Sequence, residues 1–251
     1  HIEPGFVKRL KDIRSHPVIV YDERDVWGGR GKPFSDSMKT LSKEADLVFL
    51  VGLGKYADEF RKFGAKKILY SPHSIDTLRF GHPWVPTNER KFDVVMISNL
   101  FRSKNLRPGI PGWKKRWQLA ERLNKILGDR FALFGKGWEQ APYARGELPF
   151  LKQEEVCRQS WLSVGWKHFD QTPYYFSSRL AIAMMSGVAH VTNYMPGYEI
   201  MFQNGQNLCY ARTVDEMVDI VIHLLSLPRS HIIEMGLKGQ EYAKANLASE
   251  V

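Results

Sequence analysis

Basic and aromatic side chains recur in the loops that follow short apolar segments in the second half of the sequence. Short apolar segments that alternate with helices are typical of buried strands in a parallel sheet. The carboxyl ends of such strands meet at one edge of the sheet, where open α/β folds bind ligands. Because guanidinium–phosphate bonds are charge-assisted and strong, cations there favour an anionic ligand such as a diphosphate. The candidate ligand-binding residues in these loops are Asn99, Arg102, Lys104, Lys136, Trp138, His168 and Glu199.

Two further cations lie at predicted helix starts. Arg179 follows Ser177 and Ser178 and precedes an apolar segment that is typical of a buried helix. A cation at the positive end of a helix dipole is unfavourable by itself. It is explained if an anion also binds there, because helix N-termini bind phosphate well. We therefore expect Ser178, Arg179 and Arg116, which lies near the start of the predicted helix Trp113–Leu127, to face the same ligand.

Acidic residues directly after the first predicted strand, 17–22, could act on an acceptor group. Transfer of a group to a hydroxyl needs a base, or a leaving phosphate that accepts the proton itself. Asp22 and Asp25 are therefore candidate catalytic residues, and His73, which follows the third predicted strand, is another. A solvated turn would explain the two carboxylates equally well.

The sequence lacks several motifs that would indicate other chemistries. It has no Gly-x-x-x-x-Gly-Lys-Ser/Thr phosphate loop and no Gly-x-Ser-x-Gly elbow, which argues against ATPases and serine hydrolases. The GKGW segment is too short for a dinucleotide fingerprint. No Cys/His cluster has zinc spacing, and no acidic pair accompanies the basic loops. We therefore expect no cofactor and a reaction that needs no metal.

Composition indicates an ordinary globular protein with an excess of positive charge. The 251 residues are 43% hydrophobic, carry a net charge of +9 and contain no apolar run long enough to span a membrane. The basic excess is largest in residues 81–150, which hold 13 basic and 6 acidic side chains. Cys157 and Cys209 are interpreted as free thiols in a reducing compartment, so we expect a cytoplasmic protein. His1 is not a natural start, which favours an upstream segment.

Strands and helices alternate along the whole chain, which predicts parallel sheets with right-handed crossovers. A segment rich in proline, 71–86, separates two series and is typical of a linker. We therefore predict two domains, 1–85 and 86–251. The predicted strands are 17–22, 46–52 and 66–72 in the first series, and 92–98, 130–135, 161–166, 188–193 and a short strand ending near Tyr210 in the second.

The stretch 174–210 resembles the sugar-nucleotide domain of GT-B glycosyltransferases, and is most similar to CgeB-like enzymes with a group 1 C-terminal domain. Arg179, Gly187 and Glu199 match that family's arginine, helix-ending glycine and loop glutamate. The linker also resembles the interdomain linker of GT-B enzymes. Its matching residues are Pro72, Ile75, Asp76 and Phe80.

The resemblance implies an α/β GT-B fold of two Rossmann-like parallel-sheet domains, with an N-terminal domain that has only three of its usual six or seven strands. It also implies transfer of a sugar from a nucleoside diphosphate, with UDP the expected nucleotide, to a hydroxyl. Lys104 and Arg116 match the family's phosphate-binding cations, and Phe150 lies where relatives touch the base. Tyr174 and Ile182 occupy the positions of the family's paired glutamates, so stereochemistry and ribose recognition stay open.

Several alternatives remain at this stage. A sugar-nucleotide 2-epimerase of the same architecture and a non-catalytic sugar-nucleotide-binding module are the other two functions. Trp138 either stacks on a base or packs on the core, and His168 either faces the sugar or is a polar loop residue. His190, inside a strand, is interpreted as a satisfied core histidine. The basic excess predicts an anionic acceptor, either a glycan or lipid-linked intermediate, with the protein peripheral at a membrane, or DNA with a hydroxylated base.

Overall fold

The computed structural model describes residues 5–13, 17–102 and 108–249. The first part of the chain folds into a three-stranded parallel sheet with three helices. In chain order these elements are α1 Phe6–Lys11, β1 Val20–Glu23, α2 Asp36–Glu44, β2 Leu47–Leu50, α3 Lys55–Lys62 and β3 Ile68–Tyr70, and a two-residue strand, β4 Ile75–Asp76, follows. The strand order is β1-β2-β3, so each crossover places the next strand beside the last.

The second part of the chain forms a five-stranded parallel sheet in which the strand order reverses direction at β5. The order is β6-β5-β7-β8-β9, so the crevice between β5 and β7 lies where open α/β sheets bind ligands. The elements are β5 Phe92–Ile97, α4 Trp113–Leu127, β6 Phe131–Phe134, α5 Gln153–Arg158, β7 Ser160–Gly165, α6 Ser178–Met185, β8 Ala189–Asn193, α7 Tyr198–Met201, β9 Cys209–Ala211, α8 Val214–Ser226, α9 Arg229–Asn246 and β10 Ala248–Ser249.

The predicted linker contains more structure than its prolines suggest. Strand β4 pairs in parallel with β10 near the other end of the chain, and Ser249 Oγ donates to the carbonyl of Ile75 at 3.0 Å. Ile75 and Phe80 are both 2% exposed and belong to the apolar core. The linker is therefore attached to the core at Ile75 and Phe80. Strand β4 is too short for its two residues to show an alternating pattern in the sequence.

One apolar core joins the first sheet to helix α6. Val48, Leu50 and Phe60 from the first part of the chain share a cluster with Leu180 and Ile182 of α6. Every residue from Leu180 to Met185 is buried, as expected for a helix without a polar face. Because α6 is held on all sides, its N-terminus is fixed at the junction between the two sheets.

Two close backbone contacts bring the loops of the two sheets together. A Cβ at Gly31 would lie 2.3 Å from the carbonyl oxygen of Gly109, so only glycine allows this approach. On the other side, the Leu53 N–H donates to the carbonyl of Pro173 at 3.0 Å. The carboxyl ends of both sheets therefore face one common cleft.

Candidate functional site

A polar cavity opens between the carboxyl ends of β5 and β7 and the N-terminus of α6. It contains about 440 Å³ of space free of protein atoms, its mouth included, but water centres can occupy only about 30 Å³ of it, so it is a narrow slot. Among the described residues, its lining includes three cations and several neutral polar groups but no carboxylate. The polar lining residues are Ser98, Arg116, Gln153, Cys157, Ser163, Lys167, Ser177, Arg179 and His190.

Arg116 is a buried cation held only by neutral acceptors. Its side chain is 6% exposed, and its Nε donates to the carbonyl of Trp166 at 2.6 Å. One of its terminal nitrogens donates to the carbonyl of Asn99 and to Nε2 of His168. Burial lowers the pKa of Arg116, and the nearby charge of Arg179 adds to this effect. A buried guanidinium without a carboxylate partner has unused capacity for an anion.

The contacts of His168 fix its protonation. The carbonyl of Pro111 can only accept, so Nδ1 at 2.7 Å must carry the proton, and Nε2 accepts from Arg116 at 2.7 Å. Burial, followed by the charge of Arg116, lowers the pKa of His168 to about 3. Both ring nitrogens are therefore occupied. His168 therefore orients Arg116, and its contact with a donor sugar stays a prediction.

Lys167 is a second buried cation that the sequence analysis did not single out. It is 4% exposed, its ammonium donates to Thr192 Oγ1, and its backbone N–H donates to Asn193 Oδ1 at 2.6 Å. Burial, together with the charge of Arg116, lowers its pKa well below the usual value. The signal that could have indicated Lys167 is its position two residues after the end of β7, in the same loop as His168.

Arg179 lies where the sequence placed it, in the first turn of α6 with Ser177 as N-cap. Within the described residues the Arg179 guanidinium makes no hydrogen bond and no ion pair. Burial lowers its pKa, while Tyr175 and Asp25 act in the opposite direction. Ser178 is the first residue of the same helix turn. The structure thus brings Arg116, Lys167 and Arg179 to one cavity at a helix N-terminus.

The three predicted catalytic residues lie at the first sheet, with Asp22 near the end of β1 and Asp25 and His73 in the loops that follow β1 and β3. The charges of Arg24, Asp25, Asp22 and Arg179 all act on His73, whose pKa is lowered chiefly by burial. The two carboxylates are already paired, since Asp22 accepts from Arg24 Nε at 2.6 Å and Asp25 accepts from Lys32. His73 makes no hydrogen bond within the described residues and packs beside the rings of Tyr175 and Phe176.

Four of the predicted donor-binding residues have other partners in the structure. Trp138 is buried, donates to the carbonyl of Ser98 at 2.5 Å and stacks on Trp117, so it packs on the core and offers no face to a base. Lys136 pairs with Glu147 at 3.2 Å. Arg102 donates to Gln140 Oε1 at 2.6 Å.

Asn99 holds a loop in place instead of lining the cavity. Its Oδ1 accepts from the backbone N–H of Lys136 at 3.0 Å, and its carbonyl accepts from Arg116. Asn99 therefore positions one of the buried cations. Phe150 is half exposed and packs edge-on against Phe80, with ring centres 5.3 Å apart. Lys104 lies outside the described residues.

Glu199 lies outside the cationic cavity. It accepts from the Tyr194 hydroxyl at 2.9 Å, which is the second cause of its lowered pKa after a backbone hydrogen bond of its own. It lines a separate pocket with Leu53, Arg61 and Tyr174. None of these residues lines the cationic cavity, which a linear sequence pattern could not show.

Several cations of the first part of the chain are paired with carboxylates. Lys11 pairs with Asp46, Arg24 with Asp22 and Lys32 with Asp25. Arg14 lies outside the described residues.

In the part of the chain that the structure describes, no group of three or more His, Cys, Asp or Glu side chains could hold a metal ion.

Two further predictions concern the state of the cysteines and the presence of membrane-spanning segments. Cys157 and Cys209 are free and buried, as predicted. None of the helices within the described ranges has the length and hydropathy that a membrane-spanning segment requires.

The family model described as "Glycosyl transferase-like" matches residues 114–247, and the chain belongs to this family. That match includes the cavity's three cations. No curated protein matches the chain in sequence.

Solved structures show the same fold at low sequence identity. The chain superposes on TarM of S. aureus with a TM-score of 0.65 and 14% identity, covering 97% of this chain and 50% of TarM. It matches sucrose-phosphate synthase from Thermosynechococcus elongatus with a TM-score of 0.65 and 13% identity, covering 97% and 67% of the two chains. It matches Anabaena HepE in complex with UDP and glucose with a TM-score of 0.64 and 14% identity, covering 91% of this chain and 67% of HepE. The fold is that of GT-B glycosyltransferases, and the chain spans about half the length of TarM.

Proposed function

We propose that this chain carries the sugar-nucleotide site of a glycosyltransferase, which moves a sugar from a nucleoside diphosphate to a hydroxyl. The observation that carries the proposal is the cavity with Arg116, Lys167 and Arg179 and no lining carboxylate. Three cations that are buried or half buried need anionic charge, and a diphosphate supplies it at a helix N-terminus. The TarM structure with UDP and the HepE structure with UDP and glucose support a UDP-sugar as donor.

The same cations would assist the chemical step. When the bond between the sugar carbon and the diphosphate oxygen breaks, negative charge grows on the leaving nucleoside diphosphate. Fixed cations in a site of low solvent access stabilise that charge without reorganisation. Arg116 is fixed by three neutral acceptors, so it is already oriented before the ligand arrives. The proposed reaction uses no metal for this purpose.

We assign the proton from the acceptor hydroxyl to His73 in preference to Asp22 or Asp25. Both carboxylates already bind a cation, since Asp22 pairs with Arg24 and Asp25 with Lys32. The lowered pKa of His73 keeps its imidazole neutral near pH 7, and its nitrogens have no partner in the described residues. This assignment places the acceptor on the first domain, 1–85, and the donor on the second, 86–251.

The proposal is tested by calorimetry with UDP and GDP, followed by mass spectrometry of the full-length protein with a panel of sugar nucleotides. A glycosyltransferase consumes donor only with an acceptor, or hydrolyses it slowly. An epimeric sugar nucleotide formed from donor alone would establish the 2-epimerase instead. Donor binding without turnover would establish the binding module, which the absence of acidic side chains at Tyr174 and Ile182 favours. Failure to bind either nucleotide would reject all three.

The class of acceptor follows from a separate measurement. The net charge of +9 favours an anionic acceptor, whereas Lys11, Arg24 and Lys32 are each held by a carboxylate and are not free to bind one. We propose a hydroxyl on a glycan or lipid-linked intermediate ahead of DNA. A salt titration against duplex DNA, anionic vesicles and neutral vesicles separates these acceptors, because counterion release makes DNA binding fall steeply with salt. Binding to none of them at low salt would indicate a neutral acceptor.

A further inference from the structure

The cavity has a second, neutral wall that the cations do not explain. Gln153 of α5 is 6% exposed and His190 of β8 is 4% exposed, and both side chains line the cavity. The His190 Nε2 is buried without a hydrogen-bond partner among the described residues. The Gln153 side-chain amide also makes no hydrogen bond within the described ranges. Buried polar groups are almost always paired, so the unpaired His190 Nε2 on this cavity indicates a ligand or water, and the Gln153 amide is free to contact the same group.

The local structure holds the His190 ring toward the cavity. Its Nδ1 lies 3.2 Å from Ser163 Oγ on the neighbouring strand, which leaves Nε2 pointing away from that bond. A Cβ at Gly165 would lie 3.7 Å from Cε1 and 3.9 Å from Nε2 of His190. Gly165 therefore leaves the ring edge uncovered. Burial, followed by the charge of Lys167, lowers the pKa of His190, so the ring is neutral.

We infer that Gln153 and His190 form the part of the donor site that recognises the nucleoside, by hydrogen bonds to its neutral hydroxyl or base groups, directly or across one or two waters. This inference rests on the proposed function. Neutral donors and acceptors suit neutral groups, whereas the phosphates take the cations. The slot admits about 30 Å³ of water centres, which is room for about two waters, so it fits the edge of a ligand and not a whole nucleotide.

One further buried polar atom belongs to a residue of the same cavity. Trp166 Nε1, like His190 Nε2, is buried without a hydrogen-bond partner among the described residues, and Trp166 also lines the cavity. Ile182 is 1% exposed, belongs to the core that joins the two sheets and does not line the cavity. The neutral wall therefore has an indole N–H in addition to the imidazole and the amide.

The test compares UDP with inorganic pyrophosphate by calorimetry. Gln153→Leu and His190→Phe should lower the affinity for UDP by about threefold to tenfold each, because each loses a neutral hydrogen bond. They should leave the affinity for pyrophosphate within twofold. Gln118→Leu, an exposed position on α4, is the matched control and should change neither. Gly165→Ala, which covers the ring edge without removing a polar group, should also weaken only UDP, and it serves if His190→Phe does not fold.

The outcomes separate this inference from the function beneath it. If Arg179→Ala weakens both ligands while the Gln153, His190 and Gly165 variants leave UDP unchanged, the diphosphate site stands and the nucleoside assignment is wrong. If these variants weaken UDP and pyrophosphate equally, they act on the phosphate part, which also overturns the inference. If the wild-type protein binds neither ligand, the proposed function itself fails.

Discussion

The two sheets carry cations in different ways. At the end of the first sheet, Arg24 and Lys32 are partly exposed, and each is paired with a carboxylate of its own loop. At the end of the second sheet, Arg116 and Lys167 are almost fully buried and contact only neutral acceptors. Burying a charge without a counterion costs several kcal/mol, so such an arrangement persists only where function requires it. The number of cations near a cleft is therefore less informative than whether each one has a carboxylate partner.

The largest effect should come from removing the unpaired cation at the helix start. Arg179→Ala should lower the affinity for UDP at least tenfold, because a charged hydrogen bond contributes about 1.5–3 kcal/mol. Arg24→Ala, which removes a paired cation across the cleft, should change it less than twofold. Calorimetry with both variants measures this contrast. Equal losses for the two variants would show that pairing does not distinguish the two regions.

The second effect concerns the protonation of Lys167. Its pKa is lowered in the empty site, and a bound diphosphate should raise it again. Between those two pKa values binding takes up a proton, so the affinity for UDP should fall as pH rises, by up to tenfold per pH unit. Calorimetry in buffers of different ionisation enthalpy should detect the uptake, and Lys167→Met should abolish it. Lys136→Met, which removes a cation paired with Glu147, is the control and should leave the uptake unchanged.

A smaller effect should appear in stability without ligand. His168 has a folded pKa of about 3, below its unfolded value of about 6.5. Because the pKa is lower in the folded protein, the unfolded chain binds the proton first as pH falls. The contribution of His168 to the free energy of unfolding is therefore fully present above pH 6.5 and is lost as pH falls toward 3. Allowing for partial solvent access, we expect about 1–2 kcal/mol over that range. Urea unfolding of wild type and His168→Gln at pH 7 and pH 4.5 measures it, and parallel pH curves would contradict it.

The smallest expected effect is that of a chelator on turnover. The cations of the cavity would stabilise the leaving diphosphate by themselves, so excess EDTA should change the initial rate by less than about twofold. Turnover lost with EDTA and restored by magnesium or manganese would show that a divalent ion carries part of that role. In that case the cations of the cavity would not stabilise the leaving diphosphate by themselves. The lack of a carboxylate partner would then not distinguish their function from that of the paired cations of the first sheet.

The sequence by itself determined the order of the elements, because apolar segments and helix periods are local signals. Helix Trp113–Leu127 has the predicted bounds, and Arg179 lies in the first turn of α6 as its place before an apolar run implied. The capping role of Thr213, which accepts from the Glu216 N–H, also follows from four neighbouring residues.

Only the tertiary structure decided which side chains meet. Trp138 is a core residue whose indole N–H reaches the carbonyl of Ser98, directly after β5. Glu199 and Arg179 belong to one sequence pattern, yet they line two different pockets. Lys167 and His190 acquired their roles through burial beside groups 25 or more residues distant. Burial and pairing depend on contacts between distant segments, and no periodicity within one segment encodes them.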